Sequence, residues 1–297
     1  MNITILGPGA VGALWATSLH DAGHNVSLWS RSCTAETLHL AKDKQAPIEF
    51  RSNDDNDLAN ADLILITVKA WQVEEAITPI LPKLSTDTIL LFMHNGMGAV
   101  DAISERIKDF PVVLGTTTQA AYKPSANQVQ HTGHGMTQLG GVNTKGCHCD
   151  FLADVLNHAM PEVSWNPDIQ QALWDKLAIN CAINPLTAIE RCLNGELAQE
   201  KYHSTLDAIV KEVARVMKAE QQEANYSDLR SKVDLVINAT AKNHSSMQQD
   251  VFYQRKTEIE FITGYVVSKA RLHGIPTPVN QSLLDEIQRI EQSWSSS

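Results

Sequence analysis

The chain has 297 residues, 43% of them hydrophobic, which is enough for two domains with ordinary cores and too apolar for a disordered polymer. Its 24 Lys and Arg stand against 34 Asp and Glu, a net charge of −10 that argues against broad nucleic-acid binding, since neutralising phosphates needs clustered cations. No apolar run approaches the length of a membrane span, and Ile3-Thr4-Ile5-Leu6 has neither a basic flank nor a small-residue cleavage site, so a cytoplasmic protein without membrane contact is expected. The five cysteines, Cys33, Cys147, Cys149, Cys181 and Cys192, are odd in number and scattered, as reduced thiols are.

Asn2 to Leu6 is a short β-branched and apolar run, followed by Gly7-Pro8-Gly9-Ala10-Val11-Gly12 and a helix-like stretch through Ala22-Gly23. Asn25 to Trp29 reads as the next strand and completes a βαβ unit. Further buried strands are expected at Leu63 to Val68, Thr88 to Phe92 and Val112 to Thr116, with a helix over Glu74 to Leu84 despite Pro79 and Pro82. Gln119 to Gly146 has β character, Cys149 to Ala159 looks helical, and Pro161 to Pro167 resembles a connector. Beyond Asp168 the strand signal ends, and helices are expected at Gln170 to Asn184, Tyr202 to Gln222, Leu229 to Thr240, Val251 to His273 and Ser282 to Trp294. The expectation is an α/β amino-terminal Rossmann domain with a mostly parallel sheet over residues 1–166, and an all-α carboxyl-terminal domain over residues 167–297. The Ser295-Ser296-Ser297 tail reads as frayed.

In the loop Gly7-Pro8-Gly9-Ala10-Val11-Gly12 the first glycine permits a tight turn, the second lets backbone approach a pyrophosphate, and the third lets helix pack on strand. A lone GxGxxG is a weak signal; lying between a strand and a helix, it points to a dinucleotide, with a purely structural turn as the plain alternative. The tip of the second strand, Trp29-Ser30-Arg31-Ser32, carries no carboxylate for ribose hydroxyls. Arg31 can instead hold a 2′-phosphate, which points to NADPH/NADP+; the alternative is an exposed surface arginine.

Three more segments end or follow expected strands: Thr67-Val68-Lys69-Ala70-Trp71-Gln72, His94-Asn95-Gly96-Met97-Gly98 and Gly115-Thr116-Thr117-Thr118. The helical half adds Leu173-Trp174-Asp175-Lys176-Leu177-Ala178-Ile179-Asn180-Cys181, Asn184-Pro185-Leu186-Thr187-Ala188, Asn194-Gly195-Glu196-Leu197, Ser245-Ser246-Met247-Gln248-Gln249-Asp250 and Thr257-Glu258-Ile259-Glu260. Together these resemble ketopantoate reductase (2-dehydropantoate 2-reductase) over nearly the whole chain. The resemblance implies NADPH-dependent reduction of ketopantoate to (R)-pantoate, a step toward pantothenate and coenzyme A, in an active site between a Rossmann and a helical domain.

Reducing a ketone needs a hydride donor over the carbonyl carbon and a proton or positive charge at its oxygen. Lys176, Asn180 and Asn184 are spaced by four and so fall within about 80° of one helix face, leaving Leu173, Leu177 and Ile183 for packing. The resemblance implies Lys176 as the catalytic acid, whose plain alternative is a solvated helix charge, with Asn180 and Asn184 holding substrate. It implies Glu258 as the carboxylate near the substrate hydroxyl and the lysine, and Ser246 as the residue that binds the substrate carboxylate. Ser246 lies twelve residues before Glu258, about 120° away on an unbroken helix, so it is expected at a helix start or in a loop. Asn194 and Asn95, each before a glycine, are natural turn residues; the resemblance implies a substrate contact for Asn194 and contacts with both cofactor and substrate for Asn95. It also implies cofactor contacts for Lys69 and Ala121, and the alternative for Lys69 is a loop charge.

The group His131, His134, Cys147, His148, Cys149 and His158 lacks the paired spacing of a zinc site, and no metal is expected. The resemblance implies a 2-oxo acid as the small-molecule substrate, and a monomer or homodimer is expected. Two other functions compete: a related NADP-dependent 2-oxo or hydroxy acid dehydrogenase, and a nonenzymatic NADPH sensor, which would not need Lys176, Asn180, Asn184 and Glu258 together.

Overall fold

A computed structural model describes residues 1–31 and 36–294. Asn2–Leu6 forms β1, buried over its last four residues, and the glycine loop leads into α1, Ala10–Asp21. β2, Asn25–Trp29, returns parallel to β1 with Leu6 opposite Trp29. β3, Thr37–Lys42, and β4, Ile48–Arg51, pair antiparallel. α2, Asp55–Ala59, is started by Asp54, whose carboxylate accepts the Asn56 N–H at 2.8 Å. There follow β5 (Leu63–Ile66), α3 (Val73–Ile77), β6 (Ile89–Phe92), α4 (Ser104–Ile107), β7 (Val112–Thr117), β8 (Ala120–Ser125), β9 (Gln128–Gly133), β10 (Thr137–Gly141), α5 (Leu152–Ala159) and β11 (Val163–Trp165).

β5 and β6 contain no polar residue and are buried throughout, as strands covered on both faces must be. They lie at the centre of a sheet ordered β11-β10-β7-β6-β5-β1-β2, in which β10 runs antiparallel to β7 and the other pairs are parallel. A second sheet is ordered β4-β3-β9-β8. From β1 the chain moves outward to β2 and later returns on the other side of β1 as β5. The carboxyl ends of β1 and β5 therefore flank the topological switch point where such sheets bind ligands.

From Gln170 onward the described residues hold only helices and short turns: α6 (Ile169–Glu190), α7 (Glu200–Ala219), α8 (Tyr226–Ala239), α9 (Ser246–Phe252), α10 (Thr263–Leu272) and α11 (Pro278–Trp294). α7 shows why: Tyr202, Leu206, Ile209, Val210, Val213 and Met217 recur at helical spacing, and all are buried. The fold is the α/β Rossmann domain plus helical part expected from the sequence. Contacts group Met1–His94 with Ala99–Ile169 in one compact unit, and Asn95–Gly98 with the chain from Gln170 onward in a second. Each has its own apolar cluster, around Trp15, Leu65 and Leu91 in the first and around Trp174, Leu206 and Ile262 in the second.

Several elements differ from expectation. The helix expected over Glu74 to Leu84 ends at Ile77 and is followed by a 3-10 turn at Leu81–Lys83, because Pro79 and Pro82 cannot donate to a helical ladder. The helix expected over Val251 to His273 is divided into α9, a 3-10 turn at Ile259–Phe261 and α10, and Gln254 is left-handed at φ 50° just beyond α9. Conversely, α6 runs through Pro185 to Glu190. Ala182, Ile183, Leu186 and Ala188 are all buried around the proline, and that burial outweighs the roughly 3 kcal/mol a helix-interior proline costs. The connector at Pro161 to Pro167 contains β11, and β3, β4 and α2 are additions to the expected elements. Ser32, Cys33 and the Ser295-Ser296-Ser297 tail lie outside the described residues.

Candidate active site

The glycine loop is shaped by the strand ends around it. Gly7 has φ +86°, its N–H donates to Trp29 O at 2.9 Å, and its carbonyl accepts Thr67 Oγ1 at 2.8 Å. A Cβ on Gly7 would lie 2.3 Å from Val68 Cγ1, and one on Gly12 would lie 2.3 Å from Thr67 Oγ1 and 2.6 Å from Gly7 O. Packing within the unit therefore demands both glycines. Gly9 differs: a Cβ there would meet nothing nearer than 4.0 Å, so the space it leaves faces outward, where a phosphate can approach. α1 begins after Gly9 without a side-chain cap or an acidic residue in its first turn, leaving its leading N–H groups for an anion. This loop fits a dinucleotide pyrophosphate.

Arg31, at the tip of β2, is exposed, and its Nη1 donates to Glu75 Oε1 at 2.6 Å. Such an exposed ion pair is weak and open to exchange for a stronger anion. The side chain of Asn53 clamps the strand tip from behind, accepting Ser30 N at 2.8 Å and donating to Ser30 O at 3.0 Å. Lys69 stands half-buried after β5, its backbone N–H on Gln72 Oε1 at 3.2 Å, and Ala121 lies half-buried in β8. A cation with no place in the sequence expectations also meets this loop: Lys123 of β8 donates from Nζ to the Pro8 carbonyl at 2.8 Å. Its only sequence signal is a lysine in a short β segment.

In the second unit α6 carries Lys176, Asn180 and Asn184 along one face, while Leu177 and Ile183 are buried. Burial of the Lys176 ammonium lowers its pKa from 10.5 to about 8, an effect partly offset by the Glu258 carboxylate. Glu258 is only 5% exposed and lies directly before the turn Ile259–Phe261, where its carbonyl accepts Phe261 N at 3.0 Å and Ile262 N at 3.1 Å. Asn95 Nδ2 lies 3.5 Å from Glu258 Oε2, a long contact. The segment Asn95–Gly98 is fastened by Met97 N donating to Phe261 O at 2.7 Å. A cation, a carboxylate and an amide are thus gathered in one place, with two further amides along α6.

Asn184 is buried one turn before Thr187, whose Oγ1 donates to Ser245 Oγ at 2.8 Å. Ser245 Oγ in turn accepts Gln248 N at 3.0 Å, capping α9. Ser246 is the exposed first residue of that helix, in an element separate from Glu258. Asn194 is held by Asn194 N on Asn243 O at 2.9 Å and Nδ2 on Thr240 Oγ1 at 2.9 Å, while its Oδ1 is buried without a protein partner. Its turn geometry and its spare acceptor are both present.

The His and Cys group behaves otherwise. His131 and His134 pack ring to ring with centroids 4.3 Å apart, and Cys147 is exposed while Cys149 is buried. Among the described residues no three His, Cys, Asp or Glu side chains are arranged to hold an ion, and the cysteines there are free thiols. No helix of the described residues is long and apolar enough to cross a membrane.

Comparison with known proteins agrees across the whole chain. Residues 3–144 match the family model described as ketopantoate reductase PanE/ApbA, and residues 168–291 match ketopantoate reductase PanE/ApbA C terminal. The 2-dehydropantoate 2-reductase of Vibrio cholerae is 59% identical over 295 residues, 99% of each chain. That of Shigella flexneri is 40% identical over 298 residues, 99% of this chain and 96% of the relative. Among solved structures, a PanE/ApbA family ketopantoate reductase from Ralstonia eutropha superposes with a TM-score of 0.87 at 26% identity, covering 99% of each chain. A ternary structure of D-mandelate dehydrogenase with NADH and anilino(oxo)acetate gives 0.88 at 25% identity, with 99% of each chain covered. With both halves matched in order and a relative 59% identical from end to end, the chain belongs to the ketopantoate reductase family.

Proposed function

We propose that this chain reduces 2-dehydropantoate to (R)-pantoate with NADPH, and that Lys176 and Glu258 carry the proton chemistry. The observation that carries the reading is the buried ammonium of Lys176 in the field of the Glu258 carboxylate, on a helix face that continues into Asn180 and Asn184. Bound NADPH supplies the hydride that goes to the carbonyl carbon. Lys176 holds a proton toward the ketone oxygen and, at a pKa of about 8, can release it near neutral pH as alkoxide charge develops. Glu258 keeps the lysine charged before the reaction and orients the new hydroxyl, and the Asn95 amide steadies the carboxylate.

Asn180, Asn184 and Asn194 are assigned to the polar groups of the substrate, and Ser246 to its carboxylate. On the cofactor, the loop from Gly7 through Pro8, Gly9, Ala10, Val11 and Gly12 takes the pyrophosphate. Lys69, Asn95 and Ala121 line the rest of its path. Arg31 selects NADPH by exchanging Glu75 for the 2′-phosphate. Residues 1–166 thus serve the cofactor and residues 167–297 the substrate, except that Asn95 serves both, in a cytoplasmic enzyme that is a monomer or homodimer.

A second reading, another 2-oxo acid as substrate, draws on the likeness to D-mandelate dehydrogenase. The test follows loss of reduced-nicotinamide absorbance with 2-dehydropantoate and with other 2-oxo acids, each with NADPH and NADH. Turnover that prefers 2-dehydropantoate and NADPH, and that drops about 100- to 10,000-fold in Lys176→Ala, is expected. Turnover of another 2-oxo acid in preference to 2-dehydropantoate establishes the second reading, and undiminished turnover in Lys176→Ala removes the lysine from its role.

A further inference from the structure

An ammonium half withdrawn from water is commonly paired with a carboxylate, because desolvation without a counter-charge is costly. Lys123 has none among the described residues. Its one hydrogen bond there is to the Pro8 carbonyl at 2.8 Å, a neutral acceptor inside the glycine loop. Burial alone lowers its pKa, with no acidic group acting in the other direction. Other partly buried cations of the chain are paired: Lys42 with Asp21 at 2.7 Å, Lys269 with Glu220 at 2.8 Å and Arg230 with Asp207 at 2.9 Å.

We infer that Lys123 is a cofactor-binding residue whose counter-charge is the pyrophosphate of the bound dinucleotide. The inference rests on the reading of the glycine loop as the NADPH site. An ammonium carries three donors, and the bond to Pro8 uses one of them. That bond anchors the nitrogen at the loop whose second glycine, Gly9, leaves open space for a phosphate. Lys123 thereby does two things: it ties down the Pro8 carbonyl of the loop, and it offers its remaining donors and a full charge to the anion. The role differs from that of Arg31, which meets the 2′-phosphate, a group present in NADPH and absent from NADH.

Calorimetric titration of the full-length protein with NADPH and with NADH tests the assignment, alongside melting curves with and without NADPH. Wild type binding NADPH, with NADH bound more weakly, is the precondition, and failure to bind NADPH overturns the cofactor reading itself and this inference with it. Lys123→Met is expected to weaken NADPH and NADH alike by about tenfold, the value of a lost charge-assisted hydrogen bond. Arg31→Ala is expected to weaken NADPH alone. The ligand-free Lys123→Met protein should melt no lower than wild type, since a half-buried charge without a counter-charge has been removed, yet NADPH should raise its melting temperature less. Lys123→Arg, which keeps the charge, should recover most of the affinity. A lower ligand-free melting temperature in Lys123→Met with no rescue by Lys123→Arg would make the residue a loop support only. Unchanged affinity for both dinucleotides in Lys123→Met, while Arg31→Ala loses NADPH selectivity, overturns the inference and leaves the cofactor reading intact.

Discussion

Taking a lysine ammonium out of water favours its neutral form, and for Lys176 the effect is large enough to matter at neutral pH. The folded pKa of about 8 lies below the 10.5 of a lysine free in water. Between those values an unfolded chain holds a proton that the folded chain has released, so this group's contribution to stability rises with pH across that window. For catalysis the sign is reversed, because the acid form is the one lost as pH rises. We predict that kcat/KM for 2-dehydropantoate falls above about pH 8. Glu258 raises the lysine's pKa, so Glu258→Gln should move that descending limb to lower pH as well as slowing turnover. A limb at the same pH in both proteins would show that Glu258 does not act on the acid. At this scale the spacing of Lys176, Asn180 and Asn184 is legible as one helix face. The burial that lowers the lysine's pKa is not legible in that spacing, and the Glu258 charge that opposes it comes from a segment distant in sequence.

Elements were legible where periodicity or composition is strong. The all-apolar β5 and β6 and the stripe of α7 declare themselves, because buried strands and amphipathic helices need those patterns. β3 and β4 do not: Leu40 and Phe50 are fully buried, but most of their neighbours are half-exposed or exposed, so no clean alternation survives. The run from Val251 to His273 reads as one helix, yet left-handed Gln254 and the turn at Ile259–Phe261 divide it. That division lets Ser246 begin one element while Glu258 precedes another. The start of α9 depends on Ser245, a buried hydroxyl that caps the Gln248 N–H and receives Thr187 Oγ1 from α6. We predict that Ser245→Ala costs about 1–2 kcal/mol, leaving the helix amide without its cap. Its melting temperature should fall by a few degrees, and KM for 2-dehydropantoate should rise more than kcat falls, because Ser246 is displaced while Lys176 is not. Equal losses in the two constants, or none, would count against placing the substrate carboxylate at Ser246.

Across the molecule, the division between an α/β half and a helical half is legible because the strand signal stops near Asp168. The excursion at Asn95–Gly98 is not. Those four residues follow β6 in sequence but pack with the helical unit, where Met97 joins its apolar cluster and donates its N–H to Phe261 O at 2.7 Å. No periodicity marks such a contact, which spans about 160 residues of sequence. Its geometric requirement falls on Gly96. The residue has φ +78°, and a Cβ there would lie 2.3 Å from Phe261 O and 2.7 Å from Phe261 C. Backbone atoms cannot swing aside as a flexible side chain can, so any substitution must push the segment off the Ile259–Phe261 turn and carry Asn95 away from Glu258. A left-handed conformation alone costs an alanine roughly 1–2 kcal/mol, and the clash adds to it. We predict that Gly96→Ala lowers the melting temperature by several degrees and turnover by at least about tenfold. Purified protein would be followed by circular dichroism on heating and by NADPH oxidation with 2-dehydropantoate. The two losses should appear together, because one displacement causes both. Wild-type melting with lost turnover would place Gly96 at the reaction itself, whereas lowered melting with full turnover would show that Asn95 need not stay beside Glu258.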